Sequence, residues 1–183
     1  MIDGKIKIGV MGSAAEPDSS EIAEAARALA REIAARQLIL LTGATTGVIH
    51  LIGKTARDGG AFHIGISPGE NQQEHVERFQ LPTDACDAII YTGFGLKGRN
   101  VVLVRSCDIV IFVAGSIGSL NEFTIAYDEG KIIGVLESSG GIAAHLHEVI
   151  DYCQKPTTGA VCFDNNPQAL VTRCLSALAG ATR

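Results

Sequence analysis

What limits the fold most is a unit repeated along the chain: a short apolar run, a glycine turn, then a stretch with helical periodicity. Lys5 to Met11 meets Gly12-Ser13, Gln37 to Thr42 breaks at Gly43, and Asp108 to Ala114 enters Gly115-Ser-Ile-Gly118. Strands that are apolar along their length are buried on both faces, the pattern of a parallel sheet with helices on two sides. The other segments keep the alternation. Asp18-Ser-Ser-Glu21 reads as a capping box ahead of Ile22, Ala26, Leu29 and Ile33 at helical spacing. Thr46 to Asp58 reads as a helix ended by Gly59-Gly60, Ala61 to Ser67 as a strand and Asp87 to Thr92 as another. Between those strands Pro68 to Asp84 is polar and reads as an excursion with little regular structure, a lid or a solvated loop. A helix from about Arg99 to Cys107 precedes the Asp108 strand, and a helix from the Gly115 turn to near Gly130 follows it. Lys131 to Leu136 (strand), Gly140 to Tyr152 (helix), Ala160 to Phe163 (strand) and Asn165 to Leu178 (helix) complete the order. The expectation is an α/β fold: a Rossmann-like, doubly wound parallel sheet in three α/β/α layers, as one nucleotide-binding domain over residues 1–183.

Composition narrows the function classes. With 46% hydrophobic and 19% charged residues the chain is too apolar for disorder. Its longest apolar runs, such as Ile109 to Ala114, stop far short of the roughly 20 residues that span a bilayer, so no membrane partner is expected. Met1 to Ile8 enters a strand pattern directly, without the features of a signal peptide, and a cytoplasmic location is expected. A net charge of −5, no Lys/Arg stripe and scattered aromatics argue against nucleic acid as a partner, while free nucleotides remain open. The five cysteines include no C-x-x-C pair and read as reduced thiols. His145 and His147, two apart on a helix, point in different directions, so no metal site is expected, and no cofactor. Glycine stands out: 21 residues, above the usual ~7%, cluster at Gly12-Ser13, Gly43 to Gly47, Gly93 to Gly98 and Gly115 to Gly118. In a doubly wound sheet such turns lie at the carboxyl ends of the strands, where ligands bind.

Several motifs invite chemistry. Gly53-Lys-Thr55 suggests a phosphate loop, but Val48 stands where that motif needs glycine, and the triplet falls inside a helix. Ala114-Gly-Ser-Ile-Gly118 approaches G-x-S-x-G, and Ser116, Asp128 and His145 or His147 can be ordered as a hydrolase triad; the plainer role for Ser116 is a turn or ligand hydrogen bond. Arg99 is expected to open a helix, where a cation opposes the macrodipole unless an anion binds there. Glu122 either closes a capping box with Ser119 or serves a ligand.

From Gly98 to Asp108 and on through Ile109 to Glu122, the sequence resembles the LONELY GUY-like superfamily. That superfamily includes cytokinin-activating phosphoribohydrolases, proteins once labelled lysine decarboxylases, and molybdenum cofactor carrier proteins. Its hallmark is an arginine opening a helix, an apolar strand, then P-G-G-x-G-T-x-x-E; Arg99 takes the place of the arginine and Glu122 that of the glutamate. Upstream, Leu41 to Val48, Gly59-Gly60 and Gly65-Ile-Ser-Pro68 look like the family's second glycine loop and its G-G-x-x-x-G-I-x-P segment, so the likeness runs from the first strand to about Leu136. Thr92 to Asn100 looks closer to the carrier-like branch than to the plant-type hydrolases, whose arginine is followed by lysine. The chain departs from P-G-G-x-G-T by reading Ala114-Gly-Ser-Ile-Gly-Ser119, with Ser116 at the second glycine and Ser119 at the threonine.

The resemblance implies one of two functions. In the first, a nucleoside 5′-monophosphate is cleaved to free base and ribose 5-phosphate, with Arg99 and Glu122 as the catalytic pair. In the second, the chain is a non-catalytic carrier or sensor of a nucleotide or molybdenum-cofactor-like ligand. With the glycine turns added, the residues expected to hold the phosphorylated small molecule are Gly12, Ser13, Gly43, Gly47, Asn100, Gly115, Ser116, Ile117, Gly118 and Ser119. The resemblance further implies a homodimer or larger homo-oligomer.

Overall fold

The computed structural model describes residues 5–181. Met1 to Gly4, part of the stretch read as lacking a signal peptide, lie outside the described residues. In chain order the elements are β1 (Lys7–Gly12), α1 (Ser20–Ala35), β2 (Ile39–Thr42), α2 (Gly47–Asp58), β3 (Phe62–Ser67), β4 (Ala88–Tyr91), α3 (Gly95–Arg105), β5 (Ile109–Val113), α4 (Ile117–Asp128), β6 (Ile132–Leu136), α5 (Leu146–Cys153), β7 (Val161–Asp164) and α6 (Pro167–Ala181). The strands form one sheet in the order β4-β3-β2-β1-β5-β6-β7, and every pairing is parallel. This is the Rossmann-like α/β fold that the alternation predicts.

Residues alternate between the two faces of each strand, and each face has its own core. Ile8, Val10, Ile109 and Ile111 pack with Leu29, Ile33, Ile52 and Leu170 under α1, α2 and α6. Met11, Val110 and Phe112 pack with Leu103, Phe123 and Leu146 under α3, α4 and α5. All five residues of β5 and of β6 are buried, as central parallel strands require.

The differences from the sequence reading are local. The cap of α1 is Ser19, whose Oγ accepts the Ile22 N–H at 3.3 Å, so the capping box does not start at Asp18. α3 starts at Gly95, which places Arg99 in its second turn. The excursion between β3 and β4 contains a π-helical turn, Glu74–Arg78, anchored by fully buried His75. The stretch read as one helix from Gly140 divides into a 3-10 turn, Gly141–His145, and α5; Gly140 and Gly141 at its start both take positive φ.

The chain reverses its direction of winding at β1, whose neighbours are β2 and β5. Loops leaving the carboxyl ends of those strands part there and open a crevice.

Candidate functional site

A cavity of about 260 Å³ fills that crevice. Its walls are Gly12 at the end of β1 and Ala14 beyond it, Gly43 and Thr45 after β2, Leu96, Lys97, Arg99 and Asn100 of α3, and Ser116 to Ser119 and Glu122 around the start of α4. A larger groove of about 450 Å³ runs over the outer face of α3, α4 and α5, among Val101, Phe123, Ile125 and Val149. It contains neither Arg99 nor Glu122 and is the less chemical of the two.

Arg99 and Glu122 form the floor, each only 7% exposed. Arg99 Nη1 stands 3.9 Å from Glu122 Oε1, a loose pair, and Arg99 Nε has no hydrogen-bond partner. Leaving a buried charged donor unpaired is costly, so this atom points to a group supplied from outside. Burial raises the Glu122 carboxyl to about 7, against the opposing pull of Arg99 and then Lys97. Burial also lowers Arg99 from its ordinary value, while Glu122 works the other way. With the Asn100 amide turned to donate, its nitrogen is 3.1 Å from Glu122 Oε1 and 3.0 Å from Leu96 O. Asn100 therefore holds the carboxylate, beyond lining the cavity.

Beneath the guanidinium lies Gly43. A Cβ at this residue would stand 1.7 Å from Arg99 Nη1, so no larger residue leaves Arg99 where it is.

The cradle beside this pair is the turn into α4. Ala114 and Gly115 take left-handed φ of 52° and 89°, while Ser116 has φ −139° and caps the helix without a side-chain bond. Ser116 thus needs no glycine, and its replacement of the family residue costs no backbone strain. The first helical bond is donated by Leu120 N to Ser116 O, leaving the amides of Ile117, Gly118 and Ser119 as the open donors of the helix end. Ser119 lies inside α4, and its Oγ donates to Gly12 O at 3.2 Å; the capping box with Glu122 is not formed. Ala114 N–H donates to Ser139 Oγ at 2.7 Å, and Ile142 N–H to Gly115 O at 2.9 Å. Gly141 rests directly on this turn: a Cβ there would meet Gly115 O at 2.5 Å.

Other expected residues sit elsewhere. Gly47 lines outer grooves, and the α2 amides of Val48 and Ile49 already donate to Ala15 O and Ser13 O. Ser13 Oγ accepts from Ala15 N–H at 3.1 Å, so Ser13 and Gly47 shape a loop and do not line the cavity. Gly115 shapes the cradle turn without lining the cavity either. Gly53-Lys-Thr55 lies within α2, as its sequence context requires. The triad order fails: Ser116 and Asp128 are at opposite ends of α4, roughly 18 Å apart at 1.5 Å per residue. Asp128 pairs with Lys155, and His147 stacks on Phe163. Among the described residues no group of His, Cys, Asp and Glu could hold a metal ion. Sequence reasoning missed Leu96, Lys97 and Thr45; the glycine-flanked stretch Gly93 to Gly98 was the signal for the first two.

Comparison with known proteins places the family and the fold. The SLOG cluster4 family profile matches residues 5–171. An uncharacterized protein of Archaeoglobus fulgidus is 33% identical over 153 residues, 81% of this chain and 94% of its own. The molybdenum cofactor binding protein of Rippkaea orientalis superposes with a TM-score of 0.73 at 27% identity, covering 99% of each chain. The molybdenum cofactor carrier protein of Chlamydomonas reinhardtii does so with a TM-score of 0.73 at 26% identity, over 96% of this chain and 99% of its own. The Helicobacter pylori DNA processing protein A, described as binding single-stranded DNA, shares the fold alone: 18% identity, TM-score 0.65, over 95% of this chain and 82% of its own.

Proposed function

The chain belongs to the SLOG cluster4 family, and on that premise we propose that it binds a nucleoside 5′-monophosphate in the cavity between Arg99 and α4 and hydrolyses its N-glycosidic bond. The observation that carries this reading is the buried Arg99, its Nε unpartnered and its Nη1 3.9 Å from a carboxyl raised to about 7. The amides of Ile117, Gly118 and Ser119 supply donors for a phosphate at the positive end of α4, with Lys97 at the same wall. Leu96 and Ile117, 52% and 73% exposed, give the cavity mouth apolar surface for a flat base.

At the floor, Asn100 orients Glu122. The carboxylate takes a proton from water as the water oxygen bonds to C1′ and the C1′–N bond breaks; that proton then passes from Glu122 to the departing base, giving free base and ribose 5-phosphate and restoring the carboxylate. Arg99 balances the negative charge. A carboxyl raised to about 7 is a base poised at neutral pH.

A second reading is a non-catalytic carrier or sensor of a nucleotide or molybdenum-cofactor-like ligand, favoured by the 26–27% identity to a molybdenum cofactor carrier protein and a molybdenum cofactor binding protein over nearly the whole chain. Incubation with a panel of nucleoside 5′-monophosphates, followed by chromatography of base and ribose 5-phosphate, decides between the two. Hydrolysis predicts release that Glu122→Gln lowers by about 10²-fold or more and Arg99→Ala abolishes. A nucleotide that raises the melting temperature without any release, with Glu122→Gln binding as well as the parent, establishes the carrier.

A further inference from the structure

Gly53, in the triplet that imitates a phosphate loop, has another use. A Cβ on it would stand 2.4 Å from Cε1 of His63, so the glycine makes room for that ring. His63, on β3, is 1% exposed, and both ring nitrogens are engaged. Nδ1 is 2.6 Å from Ala85 O, which can only accept, so Nδ1 carries the hydrogen and Nε2 is the acceptor. The Thr42 hydroxyl, 2.8 Å from Nε2, donates to it. The same Thr42 Oγ1 accepts the Ala44 N–H at 3.2 Å. Ala44 is left-handed, with φ 48°, and nothing in an alanine favours that conformation. Gly43, between the two, is the residue on which the Arg99 guanidinium lies.

We propose that His63 is a positioning residue for Arg99: through Thr42 it fixes the Gly43–Ala44 turn that sets the place of the guanidinium. The chain of contacts runs Ala85, His63, Thr42, Ala44 and Gly43 to Arg99, and each link is buried or close to it. A ring with hydrogens on both nitrogens has no lone pair for the Thr42 hydroxyl, so protonating His63 reverses the central link: Nε2–H then donates to Thr42 Oγ1, the oxygen that also accepts the Ala44 N–H. The charged and titratable groups facing the ring are Asp87, ahead of β4, and Arg57 and His50 of α2. The neighbouring Cys86 thiol is raised to about 12 by burial and stays uncharged. His63 rests on the proposed ligand site only where affinity is measured; the state of Arg99 itself can be read without ligand.

The experiment follows the Arg99 Nε–H resonance of ligand-free protein, assigned by its loss in Arg99→Lys, together with AMP affinity by calorimetry. Thr42→Val and His63→Gln are expected to shift or broaden that resonance and weaken AMP binding at least tenfold, while Thr42→Ser keeps both near the parent. In the parent protein the resonance is expected to move with the same midpoint as the His63 ring carbons, below the ordinary 6.5 because burial disfavours the charged ring. An unchanged Arg99 resonance in folded Thr42→Val and His63→Gln overturns the proposal. Should both variants fail to fold, the parent titration decides, and an Arg99 resonance that ignores His63, or moves while the ring stays neutral, overturns it. A resonance that follows His63 in a protein that binds no AMP keeps His63 in its role and removes the nucleotide.

Discussion

Glu122 joins stability and chemistry in one carboxyl. Its value in the folded chain is raised from 4.5 to about 7 by burial, so folding favours the neutral acid. The stabilisation is fully present below the unfolded value and is lost as pH rises through about 7. Over that interval the loss is on the order of 3 kcal/mol, from 1.36 kcal/mol per unit. Glu122→Gln stays neutral at every pH, so its melting temperature relative to the parent should rise between pH 5 and pH 8. A constant difference across that range would show that Glu122 ionises freely in the folded protein. For the parent, base release should increase with pH up to about 7 and then level off, as a Glu122 base requires; a rate that falls over this interval contradicts that role.

The turn between β5 and α4 shows what a motif conveys and what it conceals. Ala114 has φ 52° and gives its N–H to Ser139; proline has neither that φ nor an N–H. Restoring the family residue with Ala114→Pro should therefore destabilise the chain by about 2–4 kcal/mol in denaturant unfolding, through the lost buried bond and the forbidden dihedral. Ser116→Gly, the other reversion, should change stability by less than about 1 kcal/mol. Equal effects would mean that the turn is not held as described. Much of this region was legible in the sequence: the apolar run of β5, the glycine turn and the positions of Arg99 and Glu122 all follow from residue order. The burial of Arg99, its open Nε and the partner of Ser119 were not legible, because each depends on residues from other strands, such as Gly43 and Gly12. The start of α3 was misplaced because Gly95 and Gly98 look like a loop, whereas both lie within the helix.

At the scale of the molecule, two buried histidines tie one segment to the sheet. His63 donates to Ala85 O, and His75 Nε2 to Pro82 O, while the hydroxyls of Thr42 and Ser67 meet the other ring nitrogens at the ends of β2 and β3. Burial lowers His63 in the folded chain, so its contribution to stability is present above the unfolded value of about 6.5 and lost as pH falls below it. Amide hydrogen exchange should accordingly quicken over residues 80–87 between pH 7.5 and pH 5, after correction for intrinsic rates, more than in α6. Uniform change along the chain would sink this expectation.

The contact of Gly141 with Ala114 and Gly115 separates two properties that binding sites usually entangle. Arg99 and Glu122 stand on α3 and α4, but the curvature of the cradle is imposed by a stretch after β6 that never lines the cavity. The fit of a ligand in the proposed site is thus open to adjustment from residues 137–143, by natural drift or by a focused library, while Arg99 and Glu122 are left untouched.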